Sequence, residues 1–112
     1  MDQSRELPLL VIFRFLLPEG EAKMKISRTE PFKRAFRRLP DAIKRRTEAA
    51  LKLLMANPHH PSLRIKKVKG NILPGYDNIF EGRITRDYRF FFLIETDAYV
   101  LLRCGRHEEY LK

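Results

Sequence analysis

The chain has 112 residues, enough for one domain with a single modest core and too few for two. Its 44% hydrophobic and 33% charged content is that of a globular protein and excludes disorder, while a formal net charge of +9 points to polyanionic partners, nucleic acid before acidic protein. A lone cysteine excludes an internal disulfide framework and fits a reducing cytoplasm, and no stretch is long enough to cross a bilayer.

In chain order, residues 1–23 come first. Leu7–Leu17 is apolar except for Pro8 and Arg14, but Asp2 and Glu6 spoil the basic start of a signal peptide and no small-x-small cleavage site follows. Met24 opens M-K-I-S-R-T, and Glu19–Lys23 just before it can be written in purine-rich codons that resemble a ribosome-binding site. Residues 1–23 are therefore either upstream translation from a misassigned start or an extension that packs its apolar run on a sheet; residues 24–112 form the domain. The charge belongs to that domain, with 20 basic against 10 acidic residues after Lys23.

Lys25–Arg28 reads as a short strand. Thr29 suits a helix N-cap and Pro31 its first turn, where a missing N–H costs nothing. Phe32, Phe36 and Leu39 then make an apolar stripe against a basic face of Lys33, Arg34, Arg37 and Arg38. Pro40 opens a second helix at Asp41, in which Ile43, Ala50, Leu51 and Leu54 keep the stripe until Asn57-Pro58 ends it. Lys44, Arg45 and Arg46 extend the basic surface, either as a grip on ribosomal RNA or as a solvated face. Beyond the loop at His59-His60-Pro61, Leu63–Lys69 alternates like a strand, and Gly70, Pro74 and Gly75 mark the next loop. Ile79–Ile84, Tyr88–Glu95 and Tyr99–Cys104 are rich in aromatic and β-branched residues and read as three more strands. The expected architecture is α+β: a small, mainly antiparallel sheet with a two-helix hairpin on one face.

Tyr88–Glu95 is apolar on both sides, with Tyr88, Phe90, Phe92 and Ile94 on one face and Phe91 and Leu93 beside Arg89 on the other. The helices cover only one face, so the N-terminal run or a partner is expected to cover part of the other.

The chemistry gathers near the C-terminus. Arg83 and Arg89 flank an expected tight turn at Thr85-Arg86-Asp87, and Arg106, His107 and Tyr110 follow the next strand. Arginine offers phosphate a fixed charge on a planar fork, histidine titrates near neutrality, and a phenol stacks on a base or holds a hydroxyl. Metal-free RNA cleavage needs such a set, because the ribose 2′-hydroxyl attacks its own phosphate and charge develops on the transition state. Cys104-x-x-His107 with His59-His60 lacks the second half of any usual zinc spacing, so no metal and no cofactor is expected.

The segments P-F-K-R-A-F-R-R-L-P, N-P-H-H-P-S-L-R-I-K-K-V-K-G, F-E-G-R-I-T-R-D-Y-R-F-F-F and G-R-H-E-E-Y resemble, over residues 24–112, the RelE/ParE superfamily of toxins from toxin–antitoxin systems. The resemblance implies a RelE-like fold and, for the RelE branch, an endoribonuclease that cuts messenger RNA in the ribosomal A site and is held inactive by an acidic antitoxin. It places Arg89 on the arginine set against the scissile phosphate and Arg83 on a strand position that is usually basic. It places His107 on the terminal histidine of YoeB- and YafQ-like branches, and Tyr110 on the terminal tyrosine of RelE-like ones. Lys66, Lys67 and Lys69 fall near the family's RNA-contacting lysines, and Arg86 and Arg106 lie beside the same site. Two departures stand out: Glu81 occupies a position that is neutral or basic in many of the nucleases, and Pro61-Ser62 stand where YoeB-like proteins carry a glutamate. Two alternatives stay open, a ParE-like inhibitor of DNA gyrase and a non-catalytic basic RNA-binding module.

Overall fold

The structure, a computed structural model, describes residues 24–110. The two readings of residues 1–23 fall outside that range. Strand β1 (Lys25–Arg28) leads into helix α1 (Glu30–Arg37) and helix α2 (Asp41–Ala56), a 3-10 turn at Pro61–Leu63, then strands β2 (Lys66–Lys67), β3 (Phe80–Arg83), β4 (Tyr88–Ile94) and β5 (Ala98–Arg106), and a short terminal helix α3 (His107–Tyr110). The five strands form one sheet in the order β1-β5-β4-β3-β2, in which β1 runs parallel to β5 and every other pair is antiparallel. The fold is α+β, as the sequence predicts. No helix among the described residues is long and apolar enough to cross a membrane.

Thr29 joins β1 to α1 twice over. Its hydroxyl accepts from the Phe32 N–H at 3.3 Å, capping the helix, and donates to the Leu101 carbonyl of β5 at 2.7 Å. The helical hairpin buries Phe32, Ala35, Leu39, Ala50, Leu51 and Leu54 against Phe90, Phe92, Tyr99, Leu101 and Cys104 of the sheet. Thr47 is fully buried in α2, and its hydroxyl is satisfied by the Ile43 carbonyl at 2.7 Å. Gly82 faces Phe90 across the β3–β4 ladder, and a Cβ there would run into the Phe90 ring. Glycine at this position lets the ring lie over the neighbouring strand.

The opposite face amends one expectation. Phe91 is fully buried, and among the described residues the segment between β2 and β3 folds back over it. Leu73 and Ile79 from that segment join Phe91 and Leu102 in a second core, flanked by Val68, Ile72, Leu93, Val100 and Tyr110. A second correction concerns Leu63–Lys69, of which only Lys66–Lys67 is strand. Pro61 starts a 3-10 turn instead, and Arg64 ends it in the left-handed region at φ 45°, which breaks the pleat that the alternation suggests. On β5 the register passes from Phe91↔Arg103 to Phe92↔Leu101, so Leu102 is an extra residue in a bulge and both it and Arg103 lie opposite Phe91.

Candidate nucleic-acid site

Arg83 and Arg89 are direct cross-strand partners on the face away from the helical hairpin, at the end of the sheet where β3 turns into β4. Like charges set opposite one another repel, so something must offset them. Glu81 does so, two residues back on β3 and therefore on the same face. Its Oε2 lies 3.7 Å from Arg89 Nε and 3.8 Å from Lys66 Nζ, and Lys66 is its partner on β2. Glu81 is only 3% exposed, and its Oε1 has no hydrogen-bond partner among the described residues. An orphaned oxygen on a buried carboxylate is costly, on the order of 1–3 kcal/mol or more.

Arg89 is committed locally. Its Nη1 donates to the carbonyls of Thr85 at 2.7 Å, Arg86 at 3.0 Å and Tyr88 at 3.1 Å, so the side chain clasps the β3–β4 turn. Arg83 is half-buried and enters none of the ion pairs among the described residues. Arg86 is exposed on the turn itself. His107 opens α3 where the chain is tied to that turn, its backbone N–H donating to the Asp87 carbonyl at 2.7 Å. Arg83, Arg89, Arg86 and the start of α3 are thus gathered at one end of the sheet.

The other sequence-predicted residues separate from this group. Lys67 pairs with Phe80, so it alternates to the helix-covered face while Lys66 stays with Glu81. Lys69 is exposed beyond β2, in an open cleft with Asn71, Tyr76 and Asn78. Arg106 lies over the Tyr88 ring at 5.7 Å, with its Nε 3.7 Å from Glu108. The Tyr110 ring packs on Phe91 at 4.8 Å between centroids, and its hydroxyl donates to the Cys104 carbonyl at 3.4 Å. Burial first, and the Glu109 carboxylate second, push the Tyr110 phenol above its ordinary value. At neutral pH it is a protonated wedge under α3.

Arg103 was not marked by the sequence. It is half-buried opposite Phe91, with Nη1 donating to the Leu102 carbonyl at 2.7 Å. The bulge at Leu102 hides it, because strict alternation would put residues 102 and 103 on opposite faces. Among the described residues, no group of three His, Cys, Asp or Glu side chains is placed to hold a metal.

No protein-family profile and no curated protein matches the chain. Solved structures do. The chain is similar to the archaeal RelE–RelB complex from Pyrococcus horikoshii, at 18% identity and a TM-score of 0.59 over 75% of this chain and 94% of that one. It is similar to the DinJ–YafQ toxin–antitoxin complex of E. coli, at 11% identity and a TM-score of 0.64 over 80% and 99%. A copper-bound mutant toxin from Helicobacter pylori aligns at 25% identity and a TM-score of 0.55 over 77% and 97%. Strand order, helical hairpin and these three likenesses agree: the chain has the fold of the RelE/ParE superfamily of toxins.

Proposed function

We propose that this protein is the toxin of a toxin–antitoxin pair and that it cuts messenger RNA on the ribosome, in the cytoplasm. One observation carries the reading: Arg83 stands opposite Arg89 beside a turn to which the start of α3, and so His107, is tied. That tie brings the backbone of His107 to the same end of the sheet as the fixed charge, which supports a role for its imidazole as the proton carrier there. Arg83 binds the non-bridging oxygens of the scissile phosphate, and Arg89 adds charge from its clasped position. The 2′-hydroxyl oxygen forms its bond to phosphorus while its proton passes to water. The bond from phosphorus to the 5′-oxygen breaks as His107 hands that oxygen a proton, leaving a 2′,3′-cyclic phosphate and a 5′-hydroxyl. The arginines stabilise charge that appears only in the transition state, a contribution of about 100-fold or more for one such donor.

Similar folds are seen in complexes with RelB and DinJ, which supports an antitoxin for this chain as well. A surplus of ten positive charges after Lys23 suits an acidic one.

A second reading, a non-catalytic RNA-binding module, is favoured by Glu81, whose buried carboxylate offsets Arg89 and Lys66. Purified protein added to ribosomes programmed with a defined message separates the two. New ends carrying a cyclic phosphate, lost in Arg83→Ala, support the nuclease. Binding without cleavage supports the module, and gyrase-linked DNA damage in expressing cells, with messages intact, would overturn both. Arg83→Ala is a cleaner variant than Arg89→Ala, because removing Arg89 also breaks three hydrogen bonds that hold the turn.

A further inference from the structure

Arg83 and Arg86 also border an open cleft around the end of the sheet, which Arg46 of α2 and Arg64 of the 3-10 turn border as well. Leu53 and Leu63 also line it, and no carboxylate does so among the described residues. None of the ion pairs among the described residues involves any of these four arginines, although Arg28, Lys33, Lys44, Lys66, Arg89 and Arg106 each have an acidic partner. Four arginines around one concavity, none of them in an ion pair among the described residues, raise a local positive potential that favours a polyanion.

Arg64 supplies a second, independent observation. Its backbone sits at φ 45° and ψ 47°, a conformation that costs a residue with a Cβ about 1–2 kcal/mol and suits glycine or asparagine. An arginine in such a place, with its side chain on a cleft already rimmed by three others, is consistent with a binding role for the guanidinium.

We infer that this cleft holds the phosphates of single-stranded RNA flanking the scissile bond, so that the strand runs from the Arg83–Arg89 face over the β3–β4 turn and between Arg46 and Arg64. The inference rests on the proposed nuclease for the choice of RNA and for the direction of the strand. Single-stranded RNA fits better than an acidic peptide because the cleft shares Arg83 and Arg86 with the phosphate site and so continues it. The planar forks match phosphate oxygens in pairs.

The test uses the full chain and a labelled, unstructured oligouridylate, with affinity measured across a salt series. The variant is Arg46→Ala combined with Arg64→Gly. Alanine is the best helix former at 46 and glycine relieves the left-handed backbone at 64, so melting should hold or rise and lost binding cannot be blamed on unfolding. The expected result is affinity weakened about tenfold or more at moderate salt, with the slope of log affinity on log salt shallower by about 1.4, the share of two phosphate contacts on a single strand. Unchanged affinity and slope would overturn the inference, as would a wild-type chain that binds no oligouridylate at low salt. A variant that keeps oligouridylate but loses polyglutamate overturns it in favour of a protein ligand. Absence of cleavage by the ribosome-bound protein, with oligouridylate binding intact, counts against the nuclease alone.

Discussion

Replacing Glu81 with glutamine keeps the shape of the side chain and removes its charge. In the native arrangement that carboxylate spends its Oε2 on Arg89 and Lys66, at 3.7 and 3.8 Å, so both cations are partly neutralised before any phosphate arrives. Each cation released to an RNA phosphate adds about 0.7 to the slope of log affinity on log salt, so two add about 1.4. At about 0.1 M salt that corresponds to roughly 25-fold tighter binding. Lys66 is 67% exposed, so water already screens its share of the pairing, and about tenfold is the expected gain. The fold should survive. Arg89 keeps its three carbonyl acceptors, and the unpaired atom at the Oε1 position becomes part of a neutral amide, so the net loss of stability should stay within about 2 kcal/mol. The assay is equilibrium binding of a short unstructured RNA to wild type and Glu81→Gln over a salt series, with a melt of each protein. Equal affinities and equal slopes in two well-folded proteins would refute the idea that Glu81 masks the site.

Three further outcomes are expected. Gly82→Ala should displace the Phe90 ring and lower stability by about 1–3 kcal/mol, seen as a lower denaturation midpoint. Burial, opposed by Arg38 and aided by Glu109, pushes the Cys104 thiol from 9.0 to about 12; a raised folded value favours the protonated native state, so stability should hold below pH 9 and fall by up to about 4 kcal/mol as pH climbs towards 12. Cys104→Ala should flatten part of that alkaline loss, although it will lower stability at neutral pH by leaving a small void. His107→Ala should slow cleavage on programmed ribosomes by about 100-fold or more while leaving RNA affinity near wild type, because the imidazole serves proton transfer and its backbone contact to Asp87 remains.

The helical hairpin was legible because its signals are local: Thr29 and Pro31 start α1, and the apolar stripe of α2 has the helical period. The Arg83–Arg89 pairing was legible for the same reason, since a tight turn fixes which residues face each other. The misreadings have a common cause in backbone irregularity. Arg64 enters a left-handed conformation that composition does not announce, so a strand became a turn and a fourth arginine joined a cleft. The bulge at Leu102 hid Arg103 in the same way. Cover for Phe91 was missed because Leu73 lies in a Gly- and Pro-rich stretch that reads as a loop, yet with Ile79 at the start of the next expected strand it supplies half of the second core.

The parallel pairing of β1 with β5 has a kinetic consequence. Thr29 and Leu101, which hydrogen-bond to each other, are 72 residues apart, whereas β3 and β4 are joined by a turn of four residues. Closing the larger loop costs roughly 2.6 kcal/mol more in chain entropy, so the β3–β4–β5 meander assembles first and β1 with α1 docks late. Until it docks, Tyr99 and Leu101 present an open strand edge, and the main core lacks Met24, Phe32 and Ala35. A newly made chain thus passes through a form in which the arginine turn is already built while the sheet beside it is unsealed. That interval is when aggregation or a protease competes with folding, and mutations in β1 or at Thr29 lengthen it without touching a single charge of the RNA site.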